Sequence, residues 1–429
     1  MPPPDLIIYN VGQLVTCASG RGPKRGSEML DMGIVADGAV TVSNGIVTAV
    51  GSSEEMLTGC TGTNAIDAGG RVVCPGFVDP HTHIVFAGHR LNEFELKIRG
   101  DSYLEILAAG GGIISTVEQT RAAAEHELVE QSSHRLDKML AHGTTTAEVK
   151  TGYGLDLKTE VKILDVMAQL DARHAIDIVP TFLAAHAIPG EYKKDPDAYV
   201  DLICDSMLGK AWDWYVESAF YGERPFCCDV FCDGGAFSLE QSERILKKAR
   251  QIGFGIKAHV DEFTNLGGSR MSLQLGAISI DHLDAISTDE VDLLAASETI
   301  GVVTPTVNFN FGSSHFADAR ALIDKGCAVA VSTDYNPGSA PCPSQQTAMA
   351  IACRYQKLLP AEAMNASTIN AAYAAGVGDR YGSIEVGKQA DLLMMDTDDY
   401  RQIAYEFGGN LVRSVVKNGR EIFNSDRRL

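Results

Sequence analysis

The chain has 429 residues, of which 45% are hydrophobic and 21% are charged, and its formal net charge is −20. This length fits one large α/β barrel with a smaller appended domain, and the composition is that of an ordinary globular protein. The strong negative charge argues against a nucleic-acid binder, which usually presents a basic surface, and against binding to anionic lipid.

The N-terminal stretch and the cysteines indicate the cellular compartment of the protein. MPPPDLIIYN lacks the basic start and the apolar segment of a signal peptide, and no apolar run reaches the ~18 residues of a membrane-spanning helix. The ten cysteines show no paired spacing, and the tightest group is Cys227, Cys228 and Cys232. We therefore expect reduced, mostly buried thiols, a cytoplasmic protein, and a small molecule as its partner rather than nucleic acid or membrane.

Both ends of the chain are rich in predicted strands. AVTVSNGIVTAVG places Asn44-Gly45 between apolar, β-branched runs, which is a strong hairpin signal. Near the other end, LVRSVVKNGREIF predicts a second hairpin turn at Asn418-Gly419. We predict a composite β-sandwich domain formed by residues 1–75 and 376–429.

Residues 76–375 alternate buried strand-like runs with helical patterns. One helix is predicted to end near His142-Gly143, and two others begin at the capping boxes Ser238–Gln241 and Ser287–Glu290. Repeated strand and helix units imply parallel strands, so we predict a (β/α)₈ TIM barrel of the α/β class. A doubly wound open sheet is the alternative, but no GxGxxG motif follows the first strand.

Polar residues gather where the strand-like runs of the middle region end. In a barrel these ends share one face, and active sites lie on that face. The residues concerned are His81, His83, Glu148, Lys150, His186, His259, Glu262, His282 and Asp334.

Four of these residues are candidate metal ligands. His81 and His83 are two residues apart, so in an extended strand both rings point to the same side, although an HxH pair alone is a weak signal. His259 and Asp334 follow later strands and add an imidazole and a carboxylate. Three histidines and one carboxylate suit a single Zn²⁺ or Fe²⁺ that holds a water molecule.

The remaining residues suggest how such water would react. A divalent metal lowers the pKa of its water towards ~7, which suits attack on a carbonyl or amidine carbon. Asp334 can take the proton, Glu262 can carry one to the leaving nitrogen, and His282 can stabilise the developing oxyanion. The alternatives are a Glu262 on a helix surface and a His282 that only orients a metal ligand.

The motifs PGFVDPHTH, HVDE, IDHLD and STD resemble those of the amidohydrolase superfamily. Within it the chain is similar to the imidazolonepropionase family, and the motifs that carry this similarity are HTHIVFAGHRLNEFELKIRG, YLEILAAGGGIISTV, EVKTGYGLD, TFLAAHAIP, DVFCDGGAFS, HVDEF, TDYNPGS and EVGKQADLL. They follow one another in order along most of the chain, and GGGI and KTGYGLD are specific to this branch.

The resemblance implies a fold, a reaction and a set of residues. The fold is a (β/α)₈ barrel with a β-sandwich from both termini, assembled as a homodimer with one zinc or iron ion (Zn²⁺ or Fe²⁺/Fe³⁺) per subunit. The reaction is hydrolysis of 4-imidazolone-5-propanoate to N-formimidoyl-L-glutamate in histidine degradation, by metal-activated water that attacks the ring amide carbonyl. The implied metal ligands are His81, His83, His259 and Asp334. The implied catalytic residues are Glu262, His282 and Asp334, and the implied substrate contacts are Arg90, Tyr153, His186, Glu262, Asn336, Gly338 and Ser339.

The propionate tail of that substrate suits Arg90, because a planar guanidinium can hold a carboxylate with two hydrogen bonds. The Tyr153 hydroxyl can add a donor, and His186 can bond the ring carbonyl. The alternatives are an ion pair of Arg90 with a neighbouring glutamate (Glu93 or Glu95), rim packing of Tyr153, and a His186 bonded only to backbone. Asn336, Gly338 and Ser339 form a turn, and such residues suit a turn with or without substrate.

Two stretches depart from the family pattern. Residues 212–228 form an additional segment that could reshape the rim or a subunit contact, and residues 301–316 match loosely, so a drift in substrate specificity would appear there. His89 is expected to be a polar rim residue. The rival function is deamination or opening of another cyclic amidine or amide, such as a nucleobase, which would not need Arg90 and Tyr153. A scaffold without catalysis is disfavoured because all four ligands are present.

Overall fold

The structure is a computed structural model that describes residues 3–58, 60, 63–100 and 111–425. Residues 103–110 of the motif YLEILAAGGGIISTV lie outside the described residues. The strands in chain order are β1 (Leu6–Val15), β2 (Ile34–Ser43), β3 (Ile46–Ser52), β4 (Asn64–Asp67), β5 (Val72–Pro75), β6 (Phe77–Asp79), β7 (Thr144–Lys150), β8 (Asp177–Ala185), β9 (Cys227–Cys232), β10 (Gly255–Val260), β11 (Ser279–His282), β12 (Ile300–Val303), β13 (Ala328–Val331), β14 (Leu392–Met395), β15 (Val412–Lys417) and β16 (Arg420–Asn424).

The helices lie mainly between the strands of the middle region. They are α1 (Ser53–Leu57), α2 (Leu91–Arg99), α3 (Ile113–Ala122), α4 (Glu125–Ala141), α5 (Leu157–Arg173), α6 (Pro196–Leu202), α7 (Leu208–Glu217), α8 (Leu239–Ile252), α9 (Gly268–Gln274), α10 (Thr288–Ala295), α11 (Pro305–Asn310), α12 (Ala319–Asp324), α13 (Gln345–Tyr355), α14 (Pro360–Ala366), α15 (Ile369–Ala374) and α16 (Gln402–Tyr405). Short 3₁₀ turns occur at Gly26–Leu30 and Gly190–Tyr192, and α6 and α7 are joined by a π turn at Ile203–Met207.

Strands β6 to β13 form the predicted parallel barrel. Each strand pairs with the next in sequence, from β6 to β13. Their apolar runs are buried on both faces, as in the IGVV of β12 and the AVAV of β13, because helices cover the outside and side chains fill the inside. The prediction of a (β/α)₈ barrel is confirmed.

The two ends of the barrel sheet meet just beyond β6 and β13. Thr82 and Tyr335 form an isolated parallel bridge, and the His83 N–H donates to the Tyr335 carbonyl at 2.9 Å. The Ser332 hydroxyl lies 2.6 Å from Asp79 Oδ1 and 2.7 Å from the His81 carbonyl. This closing seam therefore brings the HxH segment against the segment that carries Asp334.

A second sheet takes strands from both termini, in the order β16-β15-β14-β5-β1-β2-β3, with β4 beside β1. It has its own apolar core, which includes Leu6, Val40 and Leu392. The hairpin turns at Asn44-Gly45 and Asn418-Gly419 are confirmed, and all four residues have positive φ, as this turn type requires. The domain boundaries at residues 75 and 376 stay a prediction.

The predicted helix signals are confirmed as well. The Ser238 hydroxyl accepts the Gln241 N–H at 3.2 Å, and the Ser287 hydroxyl accepts the Glu290 N–H at 3.4 Å. Helix α4 ends at Ala141, and Gly143 has a φ of 96°.

The additional segment at residues 212–228 comprises the end of α7, a loop that packs on the barrel, and the first two residues of β9. The Trp212 ring centre lies 5.0 Å from that of Phe254, and the Tyr215 ring stacks on Phe226 at 4.9 Å. The segment therefore contributes apolar packing between α7 and the strands next to it.

All ten cysteines are among the described residues, none forms a disulfide, and seven are buried. Across the described ranges, no helix is both long enough and apolar enough to cross a membrane.

Candidate metal centre and active site

Three imidazoles converge at the carboxyl ends of the barrel strands. His83 Nε2 lies 3.2 Å from His81 Nε2 and 3.4 Å from His259 Nε2. Asp334 Oδ1 lies 3.5 Å from both His81 Nε2 and His83 Nε2. Ligand atoms around a tetrahedral ion with bonds of ~2.0–2.2 Å are about 3.3–3.6 Å apart, and these four distances are close to that range. The ligand atoms of His81, His83 and His259 all lie within 4.8 Å of one another, and Asp334 belongs to a second such group that shares His81.

The far nitrogens of two of these rings are held by buried carboxylates. His81 Nδ1 donates to Asp281 Oδ2 at 2.6 Å, and His259 Nδ1 donates to Asp229 Oδ1 at 3.1 Å. A proton on Nδ1 leaves the Nε2 lone pair directed at the shared centre, which is the arrangement of metal-binding histidines. Sequence reasoning missed both aspartates, although charged residues inside the strands DVFCD and SIDH were a visible signal.

The charge states of the cluster also fit a cation. Burial lowers the pKa of His81 and His83 well below the ordinary value, so both rings are neutral. Burial raises the pKa of Asp334 to about 7, so a positive charge at the centre would help to keep this carboxylate ionised. Asp334 Oδ1 and His83 Nδ1 are buried without a hydrogen-bond partner among the described residues. The donor set and the orphaned carboxylate oxygen therefore fit a divalent ion.

Beneath the histidines lies a buried network of charges. Lys150 Nζ is 2.7 Å from Asp229 Oδ2, 2.9 Å from Glu148 Oε1 and 3.4 Å from Asp281 Oδ2. Lys257 Nζ donates to Glu148 Oε2 at 2.5 Å. Glu148 and Lys150 were singled out from the sequence without a role, and Lys257 was missed, although it precedes His259 by two residues on the same strand.

Glu262, two residues beyond the end of β10, and His282, the last residue of β11, lie beside the cluster. His282 Nε2 is 3.9 Å from Glu262 Oε2, and its Nδ1 is 3.0 Å from the Thr304 hydroxyl. His282 also lies with His81 and Asp334 in a group whose ligand atoms are all within 4.8 Å of one another. Glu262 is not on an exposed helix surface, because its side chain is only 11% exposed.

His186 and Tyr153 line one side of the centre. The His186 ring stacks on His83, with ring centres 4.9 Å apart, and the Tyr153 ring centre is 5.4 Å from that of His186. His186 Nδ1 donates to the Gly152 carbonyl at 3.0 Å, and burial lowers the pKa of His186 to about 3. The neutral ring therefore presents an Nε2 without a proton, which accepts hydrogen bonds rather than donates them.

Arg90 lies at the mouth of the site, in an ion pair. Its Nε is 2.8 Å from both carboxylate oxygens of Glu93, and its Nη2 is 2.6 Å from Glu93 Oε2. Glu93 Oε1 also accepts the Gly112 N–H at 2.8 Å. The alternative of a pair with Glu93 is therefore present, but the two side chains are largely buried rather than on the surface, at 13% and 7% exposure.

The turn after β13 is stabilised by hydrogen bonds of the Asn336 side chain. Asn336 Oδ1 accepts the N–H groups of Gly338 and Ser339 at 2.8 Å, and its Nδ2 donates to the Asp334 carbonyl and to the Ser339 hydroxyl, each at 2.7 Å. These bonds use the Asn336 amide within the turn, where it holds the backbone of Asp334. Gly338 packs on Arg90, since a Cβ at Gly338 would lie 2.0 Å from Arg90 Nη1.

Two further predictions concern the rim. His89 is exposed and belongs to neither of the two groups of described residues that could hold a metal ion. Residues 301–316 form the end of β12, helix α11 and a loop in which the Phe311 ring lies 4.8 Å from Lys97 Nζ. This loop thus faces helix α2 across the mouth.

The fold and the site define the class of protein. The chain matches the Amidohydrolase family model at residues 233–422, and another model of the same description at residues 64–112. A zinc-bound adenosine deaminase from Xanthomonas campestris superposes with a TM-score of 0.73 at 21% identity, covering 98% of this chain and 93% of that one. Escherichia coli guanine deaminase superposes with a TM-score of 0.74 at 17% identity, covering 97% and 98%. The two superpositions show the fold alone, and the sequence matches the amidohydrolase family models over the residues given.

Relatives of higher identity give the family. An imidazolonepropionase of Chloroflexus aggregans is 51% identical over 427 residues, which cover 99% of this chain and 100% of that protein. An imidazolonepropionase of Herpetosiphon aurantiacus is 50% identical over 422 residues, which cover 98% of each. The chain belongs to the imidazolonepropionase family.

Proposed function

We propose that the protein hydrolyses 4-imidazolone-5-propanoate to N-formimidoyl-L-glutamate, a step of histidine degradation. Membership of the family supports the choice of reaction. The observation that carries the proposal is the buried cluster of His81, His83 and His259, with the Asp334 carboxylate 3.5 Å from two of these imidazoles and with Glu262 and His282 beside it.

His81, His83, His259 and Asp334 would hold one zinc or iron ion, since an N₃O donor set of this spacing suits both. When bound, the ion lowers the pKa of a water molecule and polarises the ring carbonyl. Asp229 and Asp281 keep two of the imidazoles in the tautomer that leaves Nε2 free for the ion.

Glu262 is placed to carry the proton. In the reaction, the water oxygen bonds to the ring carbonyl carbon, the ring C–N bond breaks, and a proton from the water is delivered to the released nitrogen. Burial raises the pKa of Glu262 well above its ordinary value, and Asp334 adds to this effect. A raised pKa favours the protonated carboxyl, which can give its proton to the leaving nitrogen and then accept another, as general acid–base catalysis requires.

His282 and His186 contact different parts of the substrate. His282 Nε2 is buried without a hydrogen-bond partner among the described residues and faces Glu262. When Nε2 carries a proton, its N–H can donate a hydrogen bond to the carbonyl oxygen and stabilise the negative charge that develops there. His186 presents an acceptor nitrogen, so it suits a ring N–H of the substrate rather than the ring carbonyl.

Arg90→Ala is expected to weaken substrate binding by about 2–4 kcal/mol, seen mainly in KM, because the guanidinium offers hydrogen bonds to the propionate in a largely closed site. Steady-state kinetics measures the change. Arg320→Ala is the matched control, since Arg320 also makes a pair with a buried glutamate (Glu362, with contacts of 2.8 and 2.9 Å) but on helix α12. An unchanged KM in Arg90→Ala would place the propionate elsewhere.

The function is tested directly with purified protein and 4-imidazolone-5-propanoate. Loss of the ring absorbance is followed, N-formimidoyl-L-glutamate is identified by mass spectrometry, and the metal content of the same sample is measured. Turnover that depends on the metal is the expected result. Turnover of a nucleobase without turnover of the imidazolone would replace the proposal by the rival deaminase.

A further inference from the structure

We propose that Lys97 is a substrate-specificity residue whose ammonium group recognises the carboxylate tail of the substrate, in the place where the charge of Arg90 is cancelled by Glu93. This inference rests on the proposed function and names the side chain that binds the substrate carboxylate. Its starting point is the Arg90–Glu93 pair, in which one carboxylate takes both Nε and Nη2 of the guanidinium. A pair of this kind still offers hydrogen bonds, but it has no net charge with which to attract an anion.

Lys97 is the cation nearest to this pair on the same helix. It follows Glu93 by four residues on α2, so the two side chains lie on one face of the helix. Its Nζ donates to the Gly338 carbonyl at 3.3 Å and lies 4.8 Å from the Phe311 ring centre. Among the described residues no carboxylate oxygen lies within 4.0 Å of Lys97 Nζ, although the Glu93 charge raises the pKa of Lys97 from a greater distance. An ammonium group has three N–H donors, so Lys97 can bond a further acceptor besides the Gly338 carbonyl.

Both cations meet at one residue of the substrate-side turn. Gly338 packs against Arg90 Nη1, and its carbonyl accepts from Lys97 Nζ. Burial lowers the pKa of Lys97, the nearby Arg90 lowers it further, and Glu93 partly opposes both effects. A carboxylate beside Gly338 would reach the N–H groups of Arg90 and the charge of Lys97 together.

The test compares two substrates that differ only in the tail, 4-imidazolone-5-propanoate and its propionamide. Lys97→Met is expected to raise KM for the carboxylate ~10- to 100-fold and to change kcat/KM for the amide by less than about threefold, because only the anion loses an ion pair. Lys97→Arg should restore most of the loss. Lys210→Met, which removes an exposed lysine of α7, is the control for a change in overall charge.

Equal losses on both substrates, or no loss on either, would overturn the role of Lys97. Inactivity of the unaltered protein on both substrates would instead contradict the proposed function and the inference with it. The melting temperature and metal content of Lys97→Met are expected to match those of the unaltered protein, because Lys97 lies on the rim and contacts no metal-binding residue.

A second inference comes from the buried charges beneath the histidines. We infer that Lys150 is a positioning residue for the metal site, because one ammonium group contacts both carboxylates that orient metal-binding histidines. It lies 2.7 Å from Asp229, which holds His259, and 3.4 Å from Asp281, which holds His81. Lys150 thereby links two ligands that lie 178 residues apart in the sequence.

Lys257 provides a matched comparison for Lys150. Lys257 is equally buried, and its Nζ also donates to Glu148. Its other hydrogen bonds go to the backbone carbonyls of Pro80 and Ala374, and it has no hydrogen bond to Asp229 or Asp281. Removal of either lysine takes one positive charge from a network of two ammonium groups and three carboxylates. Only removal of Lys150 releases the groups that hold the imidazoles.

The experiment uses the cobalt-substituted protein, whose visible spectrum reports ligand geometry. Lys150→Met is expected to alter this spectrum and to lose metal to a chelator ~10- to 100-fold faster, as found when partners of ligand histidines are removed. Lys257→Met should lose thermal stability but keep the spectrum and release metal within about threefold of the normal rate. Equal rates and spectra in the two variants would overturn the inference, and Lys150→Gln serves the same comparison if the methionine variant does not fold.

Discussion

His83→Ala is expected to lose most of its metal and to lower kcat by ~10³ or more, because stabilisation by a metal ion contributes several kcal/mol to such a reaction. His83 is the central member of the cluster, since its Nε2 lies 3.2–3.5 Å from His81, His259 and Asp334. Its loss therefore removes the proposed ligand that is near all three of the others. Metal analysis and turnover are measured on the same preparation.

The control for this variant is His89→Ala, which removes an exposed imidazole from the same segment. It is expected to keep its metal and its melting temperature. Normal metal content in His83→Ala would show that the ion lies elsewhere.

Glu262→Gln is expected to lower kcat by ~10² or more, while metal content stays normal and KM changes little. The amide has the shape of the carboxylic acid but cannot transfer a proton. Glu262 lies 3.9 Å from His282 and is close enough to Asp334 for their charges to interact, which places it beside the proposed metal site. Single-turnover kinetics separates the chemical step from product release.

Glu243→Gln, on the exposed face of helix α8, is the control for the same chemical change away from the site. Retention of kcat in Glu262→Gln would assign the proton transfer to Asp334. Loss of metal in Glu262→Gln would indicate a structural role instead.

Backbone conformation at the site also departs from ordinary geometry. His282 and Asp334 have φ values of 85° and 46°, a left-handed region that non-glycine residues rarely adopt. Such conformations cost about 1–3 kcal/mol each and persist where surrounding bonds impose them. At Asp334 these bonds come from the Ser332 hydroxyl and the Asn336 amide. The turn residues therefore contribute by fixing the backbone of Asp334 at the proposed metal centre.

Local sequence patterns predicted the fold well because each depends on a few neighbouring residues. Asn-Gly pairs favour positive φ and gave both hairpins, and a serine three residues before a glutamine or glutamate gave two helix starts. The HxH spacing predicted that the rings of His81 and His83 point to the same side of the strand. The predicted barrel then placed His259 and Asp334 near them, because the carboxyl ends of its strands share one face. The roles assigned to these residues, and to the substrate contacts, remain predictions.

By itself, the sequence determined the elements, their parallel order and the residue types at the strand ends, because periodicity and turn chemistry act over short distances. Only the tertiary structure decided which charged groups face one another. Asp281 is hydrogen-bonded to His81, 200 residues away in the sequence, and Lys150 is hydrogen-bonded to Asp229, 79 residues away. Arg90 pairs with Glu93 rather than standing free, and the Asn336 amide is used within its own turn. A buried charge or amide must find its partner wherever the closed barrel brings one, and no local pattern encodes that distance.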